Sequence, residues 1–311
     1  MKLLRGISNL IHFDRGVVAT IGNFDGVHLG HQHLIQTLKA KANSLNLPVV
    51  VILFEPQPRE YFKKEQAPAR LATLREKVEM LQHCEVDYLY CIRFNERVAQ
   101  TLPAEFATEL LFKNLNVKYL LVGADFHFGK NRQGDVELLQ MLGKEYGCEV
   151  EIFADYMLDK QKISSSKIRE ALDLGNFALA QRYLGRPYSI SGRVLRGDGR
   201  GRQWGIPTAN LCLKRLSLPL HGVFVIQAEI AGKCYYGVAN LGNRPTVDGT
   251  KNVLEVHLFD FNQSIYGEQL RVSFLHKLRG EVKFTSVDNL IAQIHLDIEA
   301  AKRYLKDNSI N

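Results

Sequence analysis

The sequence predicts a doubly wound α/β domain with a parallel sheet, followed by a small antiparallel β-barrel with a C-terminal helix. Through the first 185 residues, apolar strand patterns alternate with amphipathic helix patterns, which is typical of a parallel sheet covered on both faces. From Tyr188 to Arg279 the chain changes to short alternating runs separated by glycine turns, as antiparallel barrels show. A helical stripe of apolar residues between Val287 and Leu305 then predicts a closing helix.

The length and net charge of the chain limit the number of domains and the kinds of ligand that we expect. The chain has 311 residues, 46% of them hydrophobic and 23% charged, which is enough for two domains with separate cores. We place the boundary between residues 185 and 186, giving domains 1–185 and 186–311. The formal net charge of +7 suits anionic ligands such as nucleotides. Because the cations are dispersed, with no block of five or more, a nucleic-acid partner is not expected.

The apolar segments and the cysteines of the sequence indicate the cellular compartment that we expect. No run of eighteen apolar residues occurs, and the first residues form too short an apolar stretch for a secretory signal. The five cysteines are odd in number and lie mostly in apolar runs, which favours reduced core thiols. We therefore expect a cytoplasmic protein that does not associate with membranes.

The first domain is predicted to place three polar segments at one edge of its sheet. In a sheet wound outward in both directions, the first and fourth strands are neighbours, and ligands bind beyond the carboxyl ends of the strands. Polar segments follow the first, fourth and fifth predicted strands at 22–31, 123–129 and 163–169. The strands are predicted at 17–24, 48–54, 86–94, 117–126 and 149–156, and the helices near 30–45, 71–84, 103–116 and 136–147.

The first polar segment joins a buried strand to a helix through glycines and two histidines. It reads Gly-Asn-Phe-Asp-Gly-Val-His-Leu-Gly-His from Gly22 to His31. A helix start offers unpaired N–H groups and the positive end of the helix dipole to an anion, and His28 and His31 add directed donors. On these residues alone, a phosphate site, a metal site that includes His33 and a solvated helix start all remain open.

The third polar segment allows two interpretations. It reads Ile163-Ser-Ser-Ser-Lys-Ile-Arg169 and is followed by a helical pattern that ends at Gly175. The serines are suited to capping that helix. Together with Lys167 and Arg169 they also offer hydroxyls and cations to a phosphate chain.

The second domain is predicted to form six short strands joined by glycine turns. Ala231-Gly232-Lys233 has the composition of a tight hairpin connection between two of them. No convincing helix pattern interrupts the series. The strands are predicted at 188–195, 208–213, 222–230, 234–241, 253–261 and 269–278.

A loop rich in glycine and arginine, from Gly197 to Asn210, is the candidate phosphate loop of the second domain. Glycines let backbone N–H groups surround a phosphate, and arginines supply charge. No Walker motif occurs in the chain. The loop ends in Pro207-Thr-Ala-Asn210, whose hydroxyl and amide oxygens suit Mg²⁺, although an isolated Thr-x-Asn is usually a turn.

The strand around Glu255 carries the candidate base. Glu255, His257 and Phe259 share one strand face, opposite to an apolar face. Charged side chains turned toward a barrel interior would be costly without a task, and Glu255 has the chemistry to accept the proton of an attacking hydroxyl. An outward, solvated face fits the periodicity equally well.

In order and spacing, these motifs resemble those of the bacterial bifunctional riboflavin kinase/FMN adenylyltransferase family, whose first domain is of the HxGH nucleotidylyltransferase type. The resemblance covers nearly the whole chain. It departs at Ser166, where Thr is commoner, and at Trp204, where a smaller aliphatic residue is frequent. In the first half it is carried by Gly22–His31, Phe54–Pro58, Leu71–Lys77, Gly123–Gly129, Arg132, Gly134, Asp135 and Ile163–Arg169, and in the second half by Pro207–Asn210, Gly237–Thr246, Glu255–His257, Tyr266, Gly267, Leu278, Arg279, Glu281, Lys283 and Phe284.

The resemblance implies two activities in one chain. Residues 186–311 are expected to phosphorylate riboflavin to FMN with ATP, and residues 1–185 to adenylylate FMN to FAD with release of pyrophosphate. The implied ligands are riboflavin, FMN and ATP, with Mg²⁺ accompanying ATP. Protein partners are not specified, and a weak homo-oligomer is left open. Two rival classes are a chain in which one half only senses flavin or nucleotide, and a basic nucleic-acid binder.

The resemblance also implies roles for particular residues. The catalytic set is Glu255, as base, with His28, His31 and Arg169. ATP is expected on Gly22, Phe24, His28, His31, Ser164, Ser165 and Arg169 in the first domain, and on Gly199, Gly201, Thr208 and Asn210 in the second. Thr208 and Asn210 are also expected to hold Mg²⁺. The flavin is expected near Asn23, Asp25, Asp125, Phe126 and Phe128 in the first domain and near Arg279 in the second.

Overall fold

The computed structural model describes residues 1–6, 13–197, 200–213, 215–246 and 249–310. The chain divides into two compact units, the first formed by Met1–Pro68 and Ala72–Ser165 and the second by Ala69–Leu71 and Ser166–Asn311. This division falls earlier in the chain than the predicted domain boundary at residue 185, which stays a prediction. No helix in the described part of the chain combines the length and apolarity needed to cross a membrane.

The first unit is built on a six-stranded parallel sheet, which confirms the predicted fold class. The strand order is β1-β4-β3-β2-β5-β6, and β2 and β5, the first and fourth predicted strands, are neighbours as expected. The strands are β1 (Lys2–Arg5), β2 (Val17–Ile21), β3 (Val49–Glu55), β4 (Tyr88–Arg93), β5 (Val117–Gly123) and β6 (Glu149–Phe153), followed by a small antiparallel pair, β7 (Met157–Leu158) and β8 (Gln161–Lys162).

Helices cover both faces of this sheet. They are α1 (Leu29–Leu45), α2 (Pro58–Lys63), α3 (Leu74–His83), α4 (Glu96–Gln100), α5 (Pro103–Glu105), which continues as a π-helix over Phe106–Asn114, and α6 (Val136–Tyr146). In β2, Val17 and Ala19 pack into one buried cluster, whereas Val18 packs into another with Ile35 and Leu38 of α1. Burial on both faces explains why the central strands read as continuous apolar runs.

The sequence prediction missed several short elements of this unit, among them β1, α2, α4 and the pair of β7 and β8. The four residues of β1 pair in parallel with β4 at the edge of the sheet, and α2 and α4 have only six and five residues. Segments of this length are too short to show a helical or strand period.

The second unit contains a closed six-stranded barrel in the order β10-β13-β12-β11-β14-β9, which confirms the predicted barrel. Ala231 and Gly232, both with positive φ, form the predicted hairpin turn. The barrel strands are β9 (Ser189–Leu195), β10 (Ala209–Cys212), β11 (Gly222–Ile230), β12 (Lys233–Thr246), β13 (Gly249–Leu258) and β14 (Gln269–Arg279), and the accompanying helices are α7 (Ser165–Asp173), α8 (Phe177–Leu184), α9 (Arg200–Gln203) and α10 (Val287–Asp307).

Helix α10 covers one side of the barrel from outside. Val225 and Val238 pack in one cluster with Ile298 and Ala301 of α10, so these two strand residues face outward. Residues paired directly across neighbouring strands share a face, and Val238 pairs with His257. The polar face of β13 is therefore the outer face of the barrel.

Two candidate nucleotide sites

The first candidate site lies where β2 turns into α1. Phe24, Gly26 and Val27 have φ angles of 46°, 81° and 40°, so the backbone reverses sharply between strand and helix. Positive φ in bulky residues such as Phe and Val is strained and is found where function constrains the backbone. The helix start is thereby held directly beyond the carboxyl end of a central strand.

His28 and His31 meet at this helix start. Their rings are stacked, with centroids 3.6 Å apart and an interplanar angle of 17°. Nδ1 of His28 accepts the N–H of His31 at 3.4 Å, which caps α1. A Cβ atom on Gly30 would lie 3.2 Å from the His28 ring, so glycine at that position leaves room for the stack.

The environment of His31 keeps its imidazole uncharged. Burial, His28 and Lys77, in that order, lower the pKa of His31 well below 6.5. Its Nδ1 atom is enclosed and has no hydrogen-bond partner among the described residues. Lys77 is fully buried, and its Nζ donates to the carbonyl of Asn23 at 2.7 Å. The site thus holds the buried cation of Lys77 beside a neutral histidine, and the positive charge suits an anionic ligand.

Asp25 ties the first and third polar segments together. Its backbone carbonyl accepts the hydroxyl of Ser165 at 2.9 Å, and its buried carboxylate accepts the N–H of Ala72 at 3.1 Å. The predicted meeting of these two segments is therefore present at Ser165. Ser164 directly precedes α7, and Arg169 within α7 donates from Nε to the carbonyl of Ala69 at 2.5 Å.

The predicted flavin residues in the segment after β5 differ in their exposure to solvent. Phe126 and Phe128 are stacked with centroids 5.7 Å apart. Phe128 is only 5% exposed and belongs to the hydrophobic core beside Phe106, whereas Phe126 is half-buried and Asp125 is exposed. Phe126 and Asp125 are accessible to a ligand, and so is the exposed Asn23.

The second candidate site is a cavity of about 400 Å³ on the outer face of the barrel. Its floor is one row of directly paired residues across five strands: Asn210, Glu255, Asn240, Val223 and Arg279. Directly paired side chains have Cβ atoms about 5 Å apart. The register therefore brings residues from distant parts of the sequence into one line.

The structure corrects one interpretation of Glu255. The alternative in which Glu255 points into the barrel interior is wrong, since Leu254 and Val256 fill that side and are buried. Glu255 does not lie on an open surface either. Trp204, which precedes β10, and Ile294 of α10 form walls of the cavity around it, so the carboxylate is half-buried in a cleft.

Glycines let the candidate phosphate loop approach Thr208 and Asn210 closely. A Cβ atom on Gly201 would lie 2.4 Å from the carbonyl oxygen of Ile206 and 3.2 Å from the hydroxyl of Thr208, and one on Gly197 would lie 2.4 Å from the amide nitrogen of Asn210. Gly199 lies outside the described residues. The hydroxyl and amide oxygens that border the cavity are the ligand type that Mg²⁺ prefers. In the described part of the chain, no group of three or more His, Cys, Asp or Glu side chains has metal-site geometry.

Arg279 is held at the cavity by a carboxylate that the sequence prediction missed. Its Nε donates to Asp297 of α10 at 2.9 and 3.1 Å, and its Nη2 donates at 2.7 Å. Gln293 also donates to Asp297, at 3.0 Å. A signal was present, because Asp297 interrupts the apolar stripe of the last helix between Ile294 and Ile298.

Comparison with known proteins identifies both halves of the chain. The family model for FAD synthetase matches residues 10–167, and the model for riboflavin kinase matches residues 184–305. Bifunctional riboflavin kinase/FMN adenylyltransferase from Haemophilus influenzae is 47% identical over 305 residues, covering 98% of this chain and 99% of the relative. The proteins of that name from Escherichia coli K12 and Pseudomonas fluorescens are each 47% identical, covering 98% and 97% of both chains, respectively.

A solved structure has the same fold along its whole length. The macrolide-efflux protein from Streptococcus pneumoniae aligns with a TM-score of 0.81 and 33% identity, covering 97% of this chain and 99% of that one. Both family models match in the order that the sequence motifs predict, and nearly half of the residues are identical to those of relatives over almost the full length. The chain therefore belongs to the bifunctional riboflavin kinase/FMN adenylyltransferase family.

Proposed function

We propose that the barrel cavity transfers the γ-phosphoryl group of ATP to the 5′-hydroxyl of riboflavin, and that the site between β2 and α1 joins AMP from a second ATP to the resulting FMN. The row of Asn210, Glu255 and Asn240 across three strands carries this proposal. The carboxylate of Glu255 lies between two amide side chains in a cleft large enough for a ligand, which supports the proposed role of Glu255 as base.

In the kinase step, the oxygen of the riboflavin 5′-hydroxyl attacks the γ-phosphorus of ATP, and Glu255 accepts the proton of that hydroxyl. The bond between the γ-phosphorus and the ADP oxygen breaks, so ADP leaves. Thr208 and Asn210 would hold Mg²⁺ with ATP, and that ion would neutralise charge on the phosphates. Gly201 gives the phosphates access to loop N–H groups, and we assign the same role to Gly199. Arg279, fixed by Asp297, would contact the flavin.

In the adenylyl step, a phosphate oxygen of FMN attacks the α-phosphorus of ATP and pyrophosphate leaves from the opposite side. This nucleophile is already anionic, so positioning and charge neutralisation suffice. We assign ATP binding to the helix start, with the catalytic roles on His28, His31 and Arg169. The other proposed ATP contacts are Gly22, Phe24, Ser164 and Ser165.

The flavin of the adenylyl step would lie against accessible residues. We propose that Asn23, Asp125 and Phe126 contact it. The carboxylate of Asp25 holds the backbone of Ala72, and Phe128 is a core residue, so we propose that these two support the flavin site from behind. We further propose that the protein works in the cytoplasm without a nucleic-acid partner.

Product analysis with two single variants tests this division of labour. Purified protein is incubated with ATP, Mg²⁺ and either riboflavin or FMN, and the flavins are separated by chromatography. We expect His31→Ala to form FMN but no FAD, and Glu255→Gln to form FAD from FMN but nothing from riboflavin. Equal loss of both products in either variant would contradict the assignment, and a chain with a sensing half would form one product or none even as wild type.

A further inference from the structure

The side chain of His257 connects the strand of the proposed base to the segment that carries Thr208. His257 lies two residues after Glu255 on the outer face of β13 and lines the same cavity. Its Nδ1 atom is 2.9 Å from the carbonyl oxygen of Pro207. A carbonyl oxygen only accepts hydrogen bonds, so Nδ1 must carry the proton and donate it.

The segment that His257 contacts is an irregular connection between α9 and β10. Between α9 and β10 the chain folds back on itself, since the N–H groups of Trp204 and Ile206 both donate to the carbonyl of Gly201, at 3.2 and 2.8 Å. Pro207 has no N–H group with which to extend this pattern. Pro207 and Thr208 are both exposed, and β10 begins only at Ala209.

By contrast, the backbone of His257 is firmly placed. It pairs with Val238 in the ladder between β13 and β12. A Cβ atom on the neighbouring Gly237 would lie 2.1 Å from the carbonyl oxygen of His257, so the two strands approach very closely at this point. The side chain of His257 therefore contacts the exposed Pro207 from a firmly placed strand.

We propose that His257 is a positioning residue of the kinase step, which holds the Pro207 carbonyl and thereby sets the place of the Thr208 hydroxyl relative to the Glu255 carboxylate. This inference rests on the proposed role of Thr208 in binding Mg²⁺ and ATP. Without the hydrogen bond from His257 to Pro207, ATP must order the segment as it binds, which weakens the apparent affinity for ATP. Riboflavin binding near Arg279 has no such dependence.

Two substitutions of His257 distinguish the effect of losing its hydrogen bond from the effect of changing the volume of its side chain. The amide nitrogen of Asn stands as many bonds from Cα as Nδ1 of His does, whereas the amide nitrogen of Gln corresponds to Nε2. We expect His257→Gln to raise the KM for ATP at saturating Mg²⁺ roughly tenfold, the worth of one hydrogen bond. His257→Asn should stay within about twofold of wild type, and both variants should keep the wild-type KM for riboflavin.

The full-length protein provides the controls. His295→Gln changes an exposed histidine of α10 and should leave all kinase constants unchanged. FAD formation from added FMN and the thermal unfolding midpoint show that each variant is folded. Equal KM values for ATP in the Gln and Asn variants, or a rise in the KM for riboflavin as large as that for ATP, would overturn the inference.

A third variant distinguishes this inference from the proposed function. Thr208→Ala should raise the KM for ATP at least as much as His257→Gln does. If Thr208→Ala leaves that KM unchanged, the proposed role of Thr208 fails. If Thr208→Ala raises it and His257→Gln does not, only the positioning role of His257 fails.

Discussion

His31 shows how the surroundings of one residue set a pH dependence. Its ring stacks on His28, and its pKa is lowered by burial first and by neighbouring positive charge second. A protonated imidazole would place a second cation beside the buried Lys77. Since the unfolded chain carries histidines with a pKa of about 6.5, the unfolded state takes up the His31 proton before the folded state does.

We predict that His31 makes the protein less stable in mild acid. Stability from this group is fully present above pH of about 6.5 and is lost as the pH falls toward the lowered pKa of the folded state, because the unfolded state then binds more protons. Thermal unfolding midpoints measured from pH 8 to pH 5 should fall less in His31→Asn than in wild type. Parallel curves for the two proteins would contradict this assignment.

Burial prevents two of the predicted flavin contacts, Asp25 and Phe128, from lying on an accessible surface. Asp25 and Phe128 occupy motif positions expected to contact flavin, yet one hydrogen-bonds a backbone N–H group and the other packs in the core. Asn23 and Phe126, their close neighbours in the chain, remain accessible. The fold thus leaves only some of the side chains of a motif accessible to a ligand.

At the scale of elements, the ion pair of Arg279 and Asp297 joins the last strand of the barrel to the last helix. The guanidinium group makes three contacts of 3.1 Å or less with the carboxylate. Asp297 is only 7% exposed at its side chain and Arg279 is 21% exposed. Removing one partner leaves the other charge poorly solvated, which costs more than the pair itself contributes.

We predict that Asp297→Ala lowers the free energy of unfolding of the barrel unit by about 2–4 kcal/mol and raises the KM for riboflavin, because Arg279 loses its orientation. Chemical denaturation and kinase kinetics measure the two effects. Lys302→Ala is a matched control in the same helix: it breaks an exposed pair with Glu299 at 3.7 Å and should cost less than about 0.5 kcal/mol. Similar losses in both variants would refute the special role of Asp297.

At the scale of the whole molecule, the histidines of the proposed adenylyl site and the base of the proposed kinase site belong to different units, and Arg169 belongs to the second unit. The helix start with His28 and His31 lies in the first unit, and the cavity with Glu255 lies in the second. Each unit has its own buried clusters. Neither proposed step needs a side chain of the other site, so we expect that FMN made on one molecule can react on another.

We predict that two complementary variants restore the complete reaction when mixed. Glu255→Gln makes no FMN and His31→Ala makes no FAD, but their mixture should convert riboflavin to FAD because FMN diffuses between molecules. Chromatography of the flavins over time measures this, with a lag while FMN accumulates. Supplying FMN to the Glu255→Gln variant alone is the control for its adenylyl site. A mixture that forms no FAD, although the Glu255→Gln variant alone converts added FMN to FAD, would contradict the prediction.

The sequence by itself determined the order of the two folds, five of the six strands of the parallel sheet, the six strands of the barrel and the motifs that carry the chemistry. These features follow from local periodicity and from residue types that chemistry restricts, as at Gly22–His31 and Pro207–Asn210. The sequence alone did not place Glu255, since a period of two residues shows which side chains share a face but not which face is inside. The sequence analysis also gave no individual role to Asn240, which lies in the motif Gly237–Thr246, and it missed Asp297.

Only the tertiary structure decided these points. The register of the barrel aligns Asn210, Glu255 and Asn240, and the packing of α10 on the outside turns that face into a cavity. The physical reason is that burial is a property of contacts between elements far apart in the chain. Local sequence fixes the pattern of a strand or helix, and the energy of packing one element against another selects the side that becomes a site.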